Sequence, residues 1–483
     1  MRTVIVVALC ALVSSFVLTP FCRDFFGFLQ VVDRPDSDRK IHKRPVPRVG
    51  GIPLAFSYLF ALVALVLSLW TGLLEWHDPS LQLILRLLPA VATIFGAGLY
   101  DDVRGLSPWK KVFWELAAGV YAVLIGVRLA TPPGTSTLMV LLVGTMSVLW
   151  LVLCTNAINL IDGIDGLATG VALIASVSLL MAAAIHHRPG LALAMAPMVG
   201  CLFGFLYYNF NPASVFLGDC GSLPVGFLLG CYGLMWHQSG TPGLGNFAPL
   251  VALSLPVGEV MLSIVRRFLR KRPIFGADSN HIHHRILSKG MSHRGAALVL
   301  YGVSALTASL AVLQTILHPR MATVLLLLLV AAAYVGFRSL RYTEFGVLNQ
   351  FLFAGDFRRL LRTKIHLKEF QQSIAGATTA QECWVVLRNA CREAGFSYVA
   401  LRASGQFLED DNKRQQPGPS VWCVQVPLGG SDYVIFRQDP RLTELAILIV
   451  PFVDGLRSKL SLPEVAAETG AAQMRKVPTA LAS

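Results

Sequence analysis

Residues 52–71, IPLAFSYLFALVALVLSLWT, form an apolar run that contains no charged side chain. A helix of about 20 such residues matches the hydrocarbon thickness of a bilayer. Further apolar runs of spanning length cover 3–20, 137–153, 167–185, 191–208 and 297–317. The sequence therefore predicts a polytopic membrane protein built from helices.

The composition agrees with this prediction. Hydrophobic residues make up 54% of the 483 residues and charged residues only 14%, whereas soluble globular domains carry about a quarter charged residues. Shorter or once-charged runs at 83–100, 112–127, 223–236, 247–265 and 322–337 are additional candidate spans. The N-terminal run counts as the first span, because no small-residue cleavage site follows it. The total is about eleven transmembrane helices.

Lysine and arginine are unevenly distributed between the loops. Seven of them, from Arg23 to Arg48, follow the first span, and eight, from Arg266 to Arg294, follow the ninth, whereas the loop GLLEWHDPSLQ has none. The positive-inside rule then predicts an outside N-terminus and a cytoplasmic C-terminus. The net charge of +13 suits anionic membrane lipids or a phosphorylated substrate. No nucleic-acid-binding fold accompanies it, so nucleic acid is not an expected partner.

Five polar clusters fall on the predicted cytoplasmic side. They are RPDSDRKIHKRPVPRVGG (34–51), YDDVRGLSPWKK (100–111), NAINLIDGIDG (156–166), NFNPASVFLGDCGS (209–222) and FGADSNHIHHR (275–285). The loops on the other side offer little beyond GLLEWHDPS and HHRPG. Unrelated loop sequences would place such groups on both faces, so the clusters are predicted to form one site.

The acids in these clusters favour hard cations. Asp101 and Asp102 are adjacent, Asp162 and Asp165 can share a helical face, and Asp219 lies among small residues in GDCGS. Carboxylate oxygens suit Mg²⁺ or Mn²⁺, which share their coordination with phosphates and water. The nine cysteines show no zinc spacing. Together with the nearby lysines and histidines, the acids indicate phosphoryl transfer.

Simpler interpretations of each cluster remain open at this point. The Asp pair is also typical of a helix cap, the basic runs are typical of membrane anchors, and the glycines of DGIDG are typical of close helix packing. Glu115 and Glu259 lie inside apolar runs and have either a structural or a functional role. A transporter or flippase of a phosphorylated or lipid-linked substrate is the alternative function. Transporter sites usually lie at the bilayer midplane, however, and no internal repeat is visible.

The order DD…GLSPxxK, NAxNLIDGxDGLA, NFxPAxxFLGDxGS and DxxHxHHR resembles the polyprenyl-phosphate N-acetylhexosamine-1-phosphate transferase family over roughly residues 1–340. The form NHIHHR is similar to the N-acetylglucosamine branch. The resemblance implies that a UDP-linked amino sugar gives its sugar-1-phosphate to undecaprenyl phosphate in the bacterial inner membrane. UMP is released, and the lipid product initiates cell-envelope polysaccharide synthesis.

The resemblance also implies roles for individual residues. Asp219 would bind Mg²⁺ (or Mn²⁺) with Asn159 as a second contributor, and Asp101, the better candidate for a base, would act with Asp102 near the lipid phosphate. Asp162 and Asp165 would hold the nucleotide or assist the metal. Substrate-binding roles fall to Lys43, Lys111, Asn156, His281, His283, His284 and Arg285. Lys110 stands beside Lys111, and the motif does not decide between them. Two mechanisms are open: direct attack by the lipid phosphate on the sugar-linked phosphorus, or a covalent aspartyl-phosphate followed by transfer. Direct attack is favoured, because it needs no extra intermediate and a phosphate monoester is largely ionised at neutral pH.

The chain changes character after the membrane region, predicted as 1–341. We predict basic linker helices over 342–369, a small cytoplasmic α+β domain over 370–462 that is weakly similar to GAF-type sensor modules, and a disordered tail over 463–483. Residues 420–438 are typical of a hairpin, and 441–460 of an amphipathic helix. Regulation, docking of a downstream glycosyltransferase and stabilisation are the candidate roles of this domain. A second copy of the chain is another candidate partner.

Overall fold

A computed structural model describes residues 1–29, 32–33, 46–71, 79–132, 134–238, 243–269, 281–339, 367–394, 396–403, 405–411, 422–438 and 446–460. The chain divides into two compact units, Met1–Tyr342 and Thr343–Ser483. The predicted linker up to 366 and the predicted disordered tail lie outside the described residues.

Within the described residues, the regular elements of the first unit are helices and one short strand pair. Its helices are α1 Arg2–Phe28, α2 Gly51–Trp70, α3 Pro79–Arg104, α4 Pro108–Leu124, α5 Thr137–Ile161, α6 Leu167–Ile185, α7 Pro189–Asn209, α8 Asp219–Gln238, α9 Ala248–Ala252, α10 Ser254–Leu269, α11 Ile282–Ser288, α12 His293–Ile316 and α13 Pro319–Ser339. A 3₁₀ turn, Gly243–Phe247, precedes α9. Strands β1 Val32–Asp33 and β2 Val46–Pro47 pair antiparallel.

Within the described residues, seven helices are long and apolar enough to cross a membrane: α1, α2, α3, α5, α6, α7 and α12. The segments Gly245–Ala252 and Ser254–Phe268 form an eighth candidate span with a 68° bend at the break. Helices α4, α8 and α13 also form where further spans are predicted, without meeting this criterion. The chain is therefore a multi-pass membrane protein, whereas the count of eleven spans and the orientation stay predictions.

Helix α8 lies at the centre of the first unit. Its residues are buried continuously from Asp219 to Trp236, because α3 and α5 pack closely against it and α2 and α6 also contact it. A buried hydrogen bond of 2.9 Å between the hydroxyls of Tyr58 and Tyr232 joins α2 to α8. The central position matters because Asp219, a predicted metal ligand, is the first residue of this helix.

The second unit contains a small sheet. Strands β3 Tyr398–Ala403, β4 Gln406–Asp411, β5 Trp422–Gly429 and β6 Asp432–Gln438 form an antiparallel sheet in the order β4-β3-β6-β5. Helices 367–376, Ala380–Ala394 and Ala446–Lys459 accompany the sheet. All three contribute to its core, for example through Phe370, Leu387 and Phe452. The predicted hairpin is confirmed between Trp422 and Gln438.

Candidate active site

The end of α3 supports the beginning of α8. The carboxylate of Asp102 accepts hydrogen bonds from the backbone N–H groups of Asp219 (2.9 Å) and Cys220 (2.8 Å). The first N–H groups of a helix have no partner within the helix, so a side chain from α3 supplies the cap. The Asp102 side chain is only 1% exposed. Asp102 therefore fixes the first residue of α8 and, with it, the backbone position from which the Asp219 side chain extends.

A glycine permits this contact between helices. A Cβ atom at Gly98, one turn before the Asp pair, would lie 2.5 Å from the backbone oxygen of Asp219. Any other residue would push α3 away from α8. The sequence places this glycine in an apolar run, where its role in the site is not visible.

Two cations hold the Asp219 carboxylate. Arg48 Nη2 donates to Asp219 Oδ1 at 2.8 Å, and its Nε lies 3.1 Å from Asp102 Oδ1. Lys111 Nζ contacts Asp219 Oδ2 and also lies 2.9 Å from Asp101 Oδ2. Burial by itself would raise the pKa of Asp219, but Lys111 and Arg48 outweigh it, so the pKa falls below its ordinary value. Asp219 is therefore ionised at neutral pH.

The structure distinguishes the two adjacent lysines. Helix α4 begins at Pro108, which directs Lys111 towards α3 and α8, whereas Lys110 is exposed. Burial acts to lower the pKa of Lys111, but the Asp219 and Asp101 carboxylates raise it above its ordinary value. Lys111 is therefore the cation that faces the acids. Asp101 also accepts a 2.5 Å hydrogen bond from the backbone of Leu106, which closes the turn after α3.

The last turns of α5 carry the two asparagines. Asn159 donates to Ser222 Oγ on α8 at 2.9 Å, so its amide oxygen is the atom it can offer a ligand. Asn156 donates to Glu115 Oε2 at 2.5 Å, and Glu115 is 1% exposed. The buried carboxylate of α4 thus orients an asparagine that is a predicted substrate-binding residue.

The two aspartates of DGIDG differ in their surroundings. Asp162 ends α5 and is half-buried; burial raises its pKa to about 7, and the charges of Asp219, Asp102 and Asp165 act in the same direction while Arg48 opposes them. Asp165 Oδ2 accepts hydrogen bonds from Asn211 Nδ2 (2.9 Å) and the Ala213 N–H (3.0 Å). Asp165 therefore holds the loop that leads into α8.

The histidines lie on the other side of the DGIDG loop. His281 and His283 are buried and His284 is half-buried, and the His283 and His284 ring centroids are 4.3 Å apart. A Cβ atom at Gly163 would collide with His283 Nε2, so this glycine allows the histidine segment to pack on the loop. Burial lowers the pKa of His283 to about 3, and His284 and His281 add to the shift. His283 is therefore neutral at pH 7.

The structure thus brings together most of the predicted residues. Asp101, Asp102, Lys111 and Asp219 are in contact, and Asn159 is joined to them through α8. His283 contacts the DGIDG loop beside Asp162. Arg285 lies two residues further along α11 and is half-buried. Lys43 lies outside the described residues.

Two side chains have contacts that the sequence did not predict. In the sequence, Arg48 is one of seven basic residues of the first loop. The backbone carbonyl of the preceding residue, Pro47, accepts a hydrogen bond from Phe216 N–H at 2.9 Å, which brings β2 alongside the start of α8. Glu259, a buried carboxylate in α10, contacts His281 Nδ1 at 2.9 Å. The position of Glu259 in an apolar run is the sequence feature that points to a role for it. For Arg48, no local feature of the sequence distinguishes it from the other basic residues of its loop.

The donor set is compatible with a magnesium ion. Among the residues that the structure describes, no group of three or more His, Cys, Asp or Glu side chains is arranged to hold a metal by itself. Mg²⁺ usually binds one or two carboxylates and takes its other ligands from water and substrate phosphates. The Asp219 carboxylate and the Asn159 amide oxygen are hard donors of this kind. The residues present therefore fit an ion that the substrate helps to bind.

The comparisons with known proteins agree with the geometry. The family model described as "Glycosyl transferase family 4" matches residues 84–237 of this chain. A Bacillus subtilis protein described as a probable undecaprenyl-phosphate N-acetylglucosaminyl 1-phosphate transferase is 31% identical, over 62% of this chain and 82% of the relative. A decaprenyl-phosphate N-acetylglucosaminephosphotransferase from Mycobacterium leprae is 31% identical, over 62% and 81%. A phospho-N-acetylmuramoyl-pentapeptide-transferase from Rubrobacter xylanophilus is 31% identical, over 58% and 89%.

The matched segment, residues 84–237, contains Lys111, both asparagines and the five aspartates Asp101, Asp102, Asp162, Asp165 and Asp219. The relatives extend the similarity to most of their own lengths. The chain therefore belongs to glycosyl transferase family 4 and is a sugar-phosphate transferase.

Proposed function

We propose that this protein transfers N-acetylglucosamine-1-phosphate from UDP-N-acetylglucosamine to undecaprenyl phosphate and releases UMP. The product would be a lipid-diphosphate sugar that initiates a cell-envelope polysaccharide. Two relatives are named for transfer of this sugar phosphate to a polyprenyl phosphate, which supports the choice of acceptor and sugar.

The observation that carries this proposal is the charge arrangement at the start of α8. The ionised Asp219 lies between Lys111 and Arg48. Lys111 also contacts Asp101, and Arg48 also contacts Asp102. Phosphoryl transfer depends on positioning and on charge stabilisation more than on covalent chemistry by the protein. The ionised Asp219 can bind a cation, and Lys111 and Arg48 can bind phosphate oxygens. Together they would position the reacting groups and stabilise their charge.

Asp219 and Asn159 are the proposed residues that would hold Mg²⁺. When bound, the ion would neutralise negative charge on the diphosphate oxygens of the sugar nucleotide. Lys111 and Arg48 would bind phosphate oxygens directly, and an arginine is suited to two parallel contacts with such a group. Lys43 stays a proposed phosphate-binding residue on the basis of sequence alone.

We propose that the lipid phosphate attacks directly. Its oxygen would form a bond to the sugar-linked phosphorus, and the bond from that phosphorus to the UMP oxygen would break. The attacking group is mostly dianionic at neutral pH, since its second pKa is about 6, so the reaction needs little help from a base. Asp101 stays the candidate base, and Asp102 would act by positioning α8.

The nucleotide end would lie towards the DGIDG loop and the histidines. Asp162 is the acid of that loop proposed to face the ligand, whereas Asp165 would keep the loop after α7 in place. His281, His283, His284 and Arg285 would contact the diphosphate and the sugar. Because His283 is neutral, it would act as a hydrogen-bonding group and not as a cation.

The proposal includes a location. The active site would lie at the cytoplasmic surface of a bacterial inner membrane with about eleven spans, where a soluble nucleotide and a lipid phosphate can meet. The second unit would be a cytoplasmic accessory domain. Its sheet and helices form a separate core, which is compatible with docking, regulation or stabilisation.

The test is UMP release by the purified full chain in detergent with Mg²⁺, UDP-N-acetylglucosamine and undecaprenyl phosphate. We expect release that depends on the lipid and stops when the metal is chelated. UDP-N-acetylgalactosamine and UDP-MurNAc-pentapeptide serve as alternative donors. UMP release from one of these two donors, and not from UDP-N-acetylglucosamine, would show that the sugar is a different one. If a folded protein released no UMP from any of the three donors, the proposal would be contradicted.

A further inference from the structure

Glu259 is a carboxylate buried in a helix of the membrane unit. It lies in the first half of α10 and is 1% exposed. Its Oε1 atom lies 2.9 Å from His281 Nδ1 and accepts a 3.1 Å hydrogen bond from the Ile282 N–H. Its Oε2 atom is buried and has no hydrogen-bond partner within the described residues. A carboxyl group in this state is costly to bury.

The contact with Ile282 alone does not explain the residue. A serine or aspartate within the histidine segment itself could cap α11 at lower cost, as Ser292 does for α12 through Gly295 N–H. What a carboxylate from a neighbouring helix adds is a partner for the imidazole. Oε1 accepts from Nδ1–H, which fixes the tautomer and the ring orientation of His281. Nε2 is then the ring nitrogen that remains for a ligand.

We propose that Glu259 is a positioning residue for transfer, acting through His281. It holds the imidazole so that Nε2 meets the diphosphate of the sugar nucleotide, and it anchors the start of the histidine segment to α10. The second attachment of the segment is His283 against Gly163. The histidines are thereby held from α10 on one side and from the DGIDG loop on the other. This inference rests on the proposed function.

Replacement of Glu259 tests the role. Partners that orient a metal-binding histidine typically contribute ~10–100-fold to affinity or activity, and we expect the same scale for a histidine that binds phosphate oxygens. We therefore expect Glu259→Ala to lower kcat/KM for the UDP-sugar within that range and to leave KM for undecaprenyl phosphate within about twofold. Glu259→Gln, whose amide oxygen can accept both hydrogen bonds, should show a smaller loss. Met261→Leu, at an exposed position of the same helix, is the matched control.

A double-mutant cycle with His281→Ala separates positioning from general support of the fold. If Glu259 acts through His281, Glu259→Ala should change kcat/KM by less than about twofold in the His281→Ala background. Equal losses in both backgrounds, or equal rises in KM for lipid and nucleotide, would overturn the inference. Melting temperatures of all variants are measured alongside. If the wild-type protein itself shows no lipid-dependent release, the proposed function fails, whereas an active wild type with multiplicative losses contradicts the role of Glu259 alone.

Discussion

The acidic half of the site and the histidine half are built in different ways. In the acidic half, Asp101, Asp102 and Asp219 lie at the ends of α3 and α8 and are paired with the cations Lys111 and Arg48. In the histidine half, His281 is held by one buried carboxylate and His283 is neutral. The acidic half is arranged for charge, and the histidine half for directional hydrogen bonds. The proposed division between lipid phosphate and metal on one side and sugar nucleotide on the other follows this difference.

The largest expected effect concerns the charge of the acidic half. Lys111→Met leaves Asp219 and Asp101 without their shared ammonium group and removes a phosphate contact. We expect kcat/KM to fall by ~10²–10³-fold, as for the loss of one charge-stabilising group in other active sites. Steady-state UMP release measures it.

Lys110→Met is the matched control for that variant, because Lys110 is exposed one residue away. Its activity should stay within about twofold of the wild type. Equal losses in the two variants would show that the lysines act only through net surface charge, and the assignment of Lys111 would fail.

The next effect concerns the attachment between the halves. A methyl group at Gly163 would collide with His283, so Gly163→Ala should displace the histidine segment. Displacements of this kind far from the bond broken cost up to ~100-fold, and we expect roughly a tenfold rise in KM for the UDP-sugar. KM for undecaprenyl phosphate should change little.

Gly302→Ala provides the comparison for this substitution, because a Cβ atom there would meet nothing within 4 Å. It should behave like the wild type. A Gly163→Ala variant in which both KM values rise together would contradict the division of the site into two halves.

The smallest effect concerns the pH dependence of stability. Because burial holds the pKa of His283 at about 3, the folded protein keeps this ring neutral while the unfolded chain binds a proton below about pH 6.5. His283 should therefore cost stability progressively as the pH falls below 6.5, by about 2 kcal/mol at pH 5. Thermal unfolding at pH 7 and pH 5 measures the change, which should be smaller in His283→Gln.

The exposed His318 offers a control for this measurement. His318→Gln should keep the pH dependence of the wild type. If His283→Gln also kept it, the ring would not be buried in its neutral form, and its role as a neutral hydrogen-bonding group would be wrong.

Much of the architecture was predictable from sequence because long apolar runs have few alternatives to helices. The runs around 52–71, 137–153 and 191–208 all lie within helices of the structure. The acids could be chosen as a set because carboxylates are rare in such a chain. One hairpin of the C-terminal sheet was also predicted, over 420–438, and it forms between Trp422 and Gln438.

The sequence could not determine the partners of these side chains. Whether Lys110 or Lys111 faces the acids depends on the residue at which α4 begins. Successive side chains on a helix differ in direction by about 100°, so a start one residue earlier or later would point a different lysine at the site. The contacts of Arg48 with Asp219 and of Glu259 with His281 join residues far apart in the chain. Such pairs depend on the packing of helices, and no local pattern encodes them.

The proposed function requires Asp219 to organise transfer of a sugar phosphate to a lipid. The most direct measurement follows the label from UDP-N-acetylglucosamine carrying ³²P in its sugar-linked phosphate, with undecaprenyl phosphate as acceptor. We predict that wild-type protein moves the label into the organic-extractable lipid, and that Asp219→Asn does not, whereas Asp24→Asn at an exposed site does. Label in the lipid with Asp219→Asn at the wild-type rate, or no labelled lipid from folded wild-type protein, would contradict the account.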